Sequence, residues 1–281
     1  TDRYIQYRCR FQRNNNSATL PVLEEVRFVH GGISIEEVIA DTPEGVAQGQ
    51  TGISVAVTIK NFYTSPVDLT SLGLTFTLGS YTHTLVEPAV PGTQIPAGST
   101  ITATFTVDVA IDSPTGTATV DAFASATSGI YTFEDEDAQT PHEWLVRSRA
   151  NLSIIKVETI PTFVNKGQAD ILVNMLIANL GETPYYFQGA SLTFSLGDYE
   201  PQTGSLTTPL PIAADSVEIA PLSEFTAIFT VKVSATSDSG FVALISGTAS
   251  GTDKFSGLNT DDSTSDVTDS WTIQNPASLV L

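Results

Sequence analysis

Side chains able to do chemistry are few and scattered in this sequence. His30, His83 and His142 lie far apart, and none stands in a His-x-x-x-His or Glu-neighboured spacing that would give a metal two ligands. Cys9 is the one cysteine, which rules out a disulfide within the chain and a cysteine-based zinc site. There is no Gly-x-Ser-x-Gly elbow and no glycine-rich phosphate loop between a strand and a helix. Acid pairs for glycoside hydrolysis abound in number, with 31 Asp and Glu, but nothing singles out a pair. The expectation is a protein that is not an enzyme.

The carboxylates do cluster, and they cluster twice. Residues 134–137 (EDED) precede Trp144, and Asp261 and Asp262 precede Trp271; Glu134 meets Asp261 and Asp135 meets Asp262 at the 127-residue spacing of the two tryptophans. A hard cation such as Ca²⁺ takes six to eight oxygens in flexible geometry, which acidic loops can supply. Asp253, Asp261, Asp262 and Asp266 are the better candidate set, with Glu134 and Asp135 as counterparts. No Asp-x-Asp-x-Asp-Gly loop is present, and a solvated acidic surface is the ordinary alternative. Any metal is expected to be structural calcium; otherwise no cofactor is expected.

Trp144 and Trp271 each close a repeat just before the next begins. Such residues stack on sugars, or are core or junction residues that pack one domain against its neighbour; repetition favours the latter, and both are expected at the interdomain junction. Residues 185–187 (YYF) read as a binding patch or a strand edge. Asn15 and Asn151 open Asn-x-Ser sequons for glycosylation.

The repetition extends along the chain. Residues 49–61 (GQTGISVAVTIKN) match 167–179 (GQADILVNMLIAN), and 74–81 (LTFTLGSY) match 192–199 (LTFSLGDY), both at an offset of 118. Residues 105–109 (FTVDV) match 229–233 (FTVKV) at 124, so six residues are inserted after Tyr199 and three more before Trp271. Insertions confined in this way mark loops in a tandem duplication.

Each copy reads as β. Ile53, Val55, Val57 and Ile59 alternate with smaller or polar residues, a period of two with one buried face, and Ile171, Val173, Met175 and Ile177 keep that face. Further strands are expected over Leu74–Leu78, Ile101–Val109 and Val120–Ala124, with no helix longer than a turn. Some seven short strands in about 120 residues suggest an immunoglobulin-like sandwich. The chain is therefore expected to be all-β, with two tandem immunoglobulin-like β-sandwiches at 31–146 and 147–275. An N-terminal strand extension at 1–30 precedes them, and 276–281 begin a further repeat or form an intersubunit strand.

Charge excludes some partners. The net charge is −19, yet residues 1–30 carry five basic and three acidic groups. An acidic body argues against nucleic acid, which calls for basic patches. No run of 18 apolar residues exists, so no membrane span is expected, and Thr1 opens with no signal-peptide pattern.

The early LSI strand, the Gly-Gln turn, the alternating strand ending in Asn, LTF, FTV and the terminal Trp resemble the tandem immunoglobulin-like repeats of prokaryotic surface proteins, CARDB-like and DUF11-like modules. That resemblance implies an extracellular or cell-surface protein acting as stalk, adhesin or fibre subunit, with no catalytic residues. Residues 3–8 (RYIQYR) and 21–26 (PVLEEV) resemble the closing strands of a jelly-roll, lectin-like module.

Ile5, Tyr7, Cys9 and Phe11 share one strand face, and Leu279 and Leu281 match Leu152 and Ile154, so both ends carry intersubunit strand candidates. The expected function is a structural subunit or segment of an extracellular filament, stalk or surface array. Its partners would be copies of itself, joined head to tail by β-strand donation. The alternative is an accessory adhesin module that binds carbohydrate, such as surface glycans, or a host surface.

Overall fold

The computed structural model describes residues 32–42, 45–88, 92–200, 217–262 and 267–277, with the backbone of 205–208. All regular structure among them is β. The first set of strands is β1 (Ile33–Ala40), β2 (Val46–Ala47), β3 (Ile53–Asn61), β4 (Val67–Phe76), β5 (Tyr81–Glu87), β6 (Gln94–Ile95), β7 (Thr100–Val109), β8 (Gly116–Ser128), β9 (Tyr131–Asp135) and β10 (His142–Arg147). The second is β11 (Leu152–Ile160), β12 (Phe163–Asn165), β13 (Ile171–Asn179), β14 (Tyr185–Phe194), β15 (Ser205–Thr208), β16 (Val217–Ile219), β17 (Glu224–Val231), β18 (Val242–Asp253), β19 (Asn259–Asp262) and β20 (Asp269–Gln274).

The first set makes one sheet ordered β1-β3-β7-β5 and another ordered β2-β10-β8-β4-β6, with β9 on β8; the second set repeats both orders strand for strand. These are the two sheets of an immunoglobulin sandwich, A-B-E-D against G-F-C. The parallel pairs β2–β10 and β12–β20 each let the opening segment cross to the second sheet. A core of buried residues lies between the sheets of each set: Ile53, Val55, Val57, Ile59, Phe105 and Trp144 belong to one, Ile171, Val173, Met175, Ile177, Phe229 and Trp271 to the other. The alternation in β3 and β13 points one face inward, as its period requires.

Two features depart from the expected strands. The strand expected over Leu74–Leu78 begins earlier, at Val67, and ends at Phe76. A bulge between Leu69 and Ser71 breaks its alternation, which hides the first half from a period-two reading. Strand β5 has mostly exposed residues and no apolar face to announce it. The six-residue insertion falls between Tyr199 and Glu224, largely outside the described residues. Of the other three inserted residues, two lie in the β18–β19 tip, where Lys254-Phe255-Ser256-Gly257 replaces Gly129-Ile130.

Candidate functional site

Each tryptophan sits inside its own repeat. Trp144 is stacked with Phe76 at 6.0 Å, and Phe76 with Tyr81 at 4.1 Å; Trp271, Phe194 and Tyr199 repeat this at 5.8 and 4.0 Å. Trp144 Nε1 donates to Tyr81 Oη at 3.2 Å, and Trp271 Nε1 to Tyr199 Oη at 3.1 Å. Burial raises the pKa of both phenols, with the indole hydrogen bond acting against it. Gly79 and Gly197 have positive φ; a Cβ at Gly79 would strike Tyr81 folded back over the turn, and one at Gly197 would strike Ile273 Cδ1 at 2.7 Å and crowd Tyr199 at 3.2 Å. The LGxY motif thus builds a core cluster. The expected junction role for Trp144 and Trp271 is corrected accordingly: the indoles are buried in the cores, closing each sandwich against itself.

Strand geometry disperses the carboxylates nominated for calcium. Glu134 and Asp135 are consecutive on β9, and Asp261 and Asp262 on β19, so their side chains point to opposite faces. Glu134 and Asp261 are exposed, while Asp262 is buried. Asp135 Oδ2 accepts the backbone N–H of Ile35 at 2.7 Å, and Asp262 Oδ2 that of Ile154 at 2.6 Å. Both acceptors reach from one sheet to the other, and both donors stand where the edge strand bulges, at Ile35/Glu37 and Ile154/Lys156. The bulge leaves an N–H outside the regular ladder, and the carboxylate satisfies it.

Asp253 binds elsewhere. Its Oδ2 accepts from Ala150 N at 2.7 Å and from the Thr183 hydroxyl, while Oδ1 accepts from Phe255 N, Ser256 N and Ser256 Oγ. Among the described residues no group of three or more His, Cys, Asp or Glu could hold a metal ion. Asp266, Asn15, Ile5, Tyr7, Cys9, Phe11, Leu279 and Leu281 lie outside the described residues, as does His30.

Two residues that sequence reasoning passed over as mere strand ends are central. Asn61 and Asn179 are fully buried. Asn61 Nδ2 donates to the carbonyls of Ser65 and Ile95, at 3.0 and 2.9 Å, and Oδ1 accepts from Tyr63 N at 2.8 Å. Asn179 Nδ2 donates to Thr183 O at 2.9 Å, and Oδ1 accepts from Gly181 N at 3.0 Å. Each amide side chain closes its β-turn from within. The signal was present in the sequence, since both end the matched thirteen-residue blocks.

Near the end of the first repeat, Asp253 organises the β18–β19 tip against the entry to β11. The tip projects Leu258 toward the first repeat: a Cβ at Gly49 would lie 2.7 Å from Leu258 Cδ1 and 3.7 Å from Ile111. Gly181 passes so close to Arg149 and Ala150 that a Cβ there would overlap their backbone. Lys254 pairs with Glu218 at 3.0 Å in the same region.

The aromatic patch expected at 185–187 is mostly core. Tyr185 and Phe187 are buried, and burial strongly raises the Tyr185 pKa. His83 leans on the edge of Phe105. His142 packs edge-on to Trp144, and burial lowers its pKa. Asp269 stands at the equivalent place in the second repeat. Burial raises its pKa, but hydrogen bonds from Thr159 N, Ser270 N and Thr159 Oγ1, with the Lys156 charge, outweigh this and hold it below the usual range. Asn151 is exposed where the second set of strands begins.

Strand order, paired cores and duplicated clasps define an all-β protein of tandem immunoglobulin-like sandwiches. No family model matches the chain, and no curated protein matches it. Among solved structures, similar chains include the secreted serine protease VesC from Vibrio cholerae, with 10% identity and a TM-score of 0.29 over 74% of this chain and 48% of that one. A Porphyromonas gingivalis W83 protein of unknown function has 11% identity and a TM-score of 0.27, covering 87% of this chain and 98% of its own. BspA_C_mut has 8% identity and a TM-score of 0.32, with 87% and 99% covered. The chain spans about half the length of the VesC chain. No helix among the described residues is long and apolar enough to cross a membrane.

Proposed function

We propose that the chain is a non-catalytic structural segment of an extracellular filament, stalk or surface array, with sandwiches placed end to end and copies joined head to tail. The observation that carries this reading is the duplicated use of polar side chains. Asp135 and Asp262, Asn61 and Asn179, and the two Trp–Tyr pairs are engaged in holding sheets and turns together at matching positions. The buried tryptophans and Tyr185 favour this reading over glycan binding, because the rings that the alternative would use to stack on sugars lie in the cores.

Strand donation supplies the joint. The strand pattern of Ile5, Tyr7, Cys9 and Phe11, with Arg8 and Arg10 on its other face, suits an acidic partner body whose sheets end on β5 and β15. Electron microscopy of the purified full chain, concentrated and incubated, tests the proposal. Regular head-to-tail polymers are expected; a chain that stays single under all conditions, or that shifts state only with an added sugar, would sink it.

A further inference from the structure

The end of the first repeat that faces away from the second carries an exposed apolar tip. Ile130 is 92% exposed and Tyr131 55%. Strand register identifies the counterpart of that tip. Thr127 faces Thr132 across the β8–β9 hairpin as Thr252 faces Asn259 across β18–β19, so Tyr131 occupies the place of Leu258. Leu258 is the residue that rests on Gly49, beside Ile111, where the first repeat meets the second.

The opposite end of the chain repeats the receiving surface. Gly167-Gln168 turns as Gly49-Gln50 does, with φ of +76° and +75° at the glycines. Gln50 Oε1 accepts from Ala47 N at 2.9 Å and Gln168 Oε1 from Asn165 N at 2.8 Å. Each Gln carbonyl receives the N–H of the matching valine, Val109 or Val233. One wall differs: Ala235 replaces Ile111 and lies 3.7 Å from where a Gly167 Cβ would be. A smaller wall leaves room for a knob larger than leucine, and the tip offers tyrosine in that place.

We propose that the Ile130-Tyr131 tip of one chain seats on the Gly167–Ala235 turn of a second copy, reproducing between chains the contact that Leu258 makes with Gly49 within one. The proposal rests on the head-to-tail reading above and names its contact surface. The contact is heterologous, because tip and turn are different surfaces, so it propagates rather than closing a dimer. A second copy is the occupant the observations favour, since it carries the same Gly-Gln turn with the complementary change of size.

The test uses the full chain. Sedimentation velocity should show self-association of the unaltered protein, weakened about ten-fold or more by Ile130→Asp with Tyr131→Asp, the loss of a central apolar anchor. Ile130 is 92% exposed, while Tyr131 also tilts on Tyr63 at 6.3 Å, so circular dichroism of the double variant and the single Ile130→Asp change separate lost association from a disturbed fold. In a Cys9→Ser background, Ile130→Cys with Ala235→Cys should give an oxidised ladder of multimers, and either cysteine alone no more than dimers. Undiminished association of the Asp variant, or no ladder, would overturn this contact and leave strand donation standing. A chain that never associates would overturn the assembly reading together with this contact. An Ile130→Cys thiol protected from maleimide in the single chain would show that residues 1–31 cover the tip, which also overturns the proposal.

Discussion

Asn179 is fully buried, and its amide holds both the Thr183 carbonyl and the Gly181 N–H. Asn179→Ala leaves those groups without a partner in a dry interior, at a cost of about 2 kcal/mol or more. Denaturation followed by fluorescence of Trp271 in a Trp144→Phe chain should show the loss in the second repeat; Asn61→Ala should show it through Trp144 in the complementary chain. An unchanged midpoint would mean that water replaces the amide.

The titratable pair His142 and Asp269 separates the repeats by pH. Burial depresses the His142 pKa, so the unfolded chain takes up the proton more readily. Its contribution is full above about pH 6.5 and is lost as pH falls through the depressed folded value. Asp269, also depressed, keeps its contribution down to about pH 4 and loses it only as pH falls through its own folded value. Trp144 should therefore report destabilisation from pH 6.5 downward that His142→Gln removes. Trp271 should report none in that window from Asp269.

At the scale of elements, the two cores fill one space in two ways. Val57 on β3 and Ala122 on β8 hold the register positions that Met175 on β13 and Gly247 on β18 take in the second repeat. A Cβ at Gly247 would lie 2.0 Å from Met175 Cε and 2.7 Å from the Ser191 carbonyl. Gly247→Ala should overpack the second core and cost about 1–3 kcal/mol. Met175→Val in the same chain should restore part of that loss, because it withdraws the thioether; a strictly additive double mutant would show that the Ser191 backbone sets the limit. Antibody domains bridge the corresponding pair of strands with a disulfide, and here side-chain volume does that work.

For the whole molecule, the consequential matter is what joins one chain to the next. Removing residues 1–13 should yield single chains that keep both sandwiches, seen as lost polymers in sedimentation with an unchanged β signature in circular dichroism. Polymers that persist after the deletion would refute donation by the N-terminal strand and shift the joint to the Ile130-Tyr131 tip. Chelation is a second check at this scale. With Asp135, Asp253 and Asp262 accepting from backbone donors, melting should be unchanged by chelator. A fall in the melting temperature would reveal a bound cation instead.

The duplication, the period-two faces of β3 and β13 and the all-β class were legible in the sequence, because alternation and internal matching are local properties of a chain. So were the aromatic and Asn positions of each repeat, though not their roles. Whether Trp144 packs inward or at a junction depends on Phe76, two strands away in the same sheet, and on Tyr81 from the opposing sheet, neighbours that only the folded sandwich brings to it. Adjacent acids read as a cluster in one dimension, but a strand sends Asp261 outward and Asp262 to the bulged N–H of Ile154, more than a hundred residues away. The match of Tyr131 to Leu258 was likewise hidden by two inserted residues. It emerged only from hairpin register, since a strand's partner, unlike its period, is decided by folding.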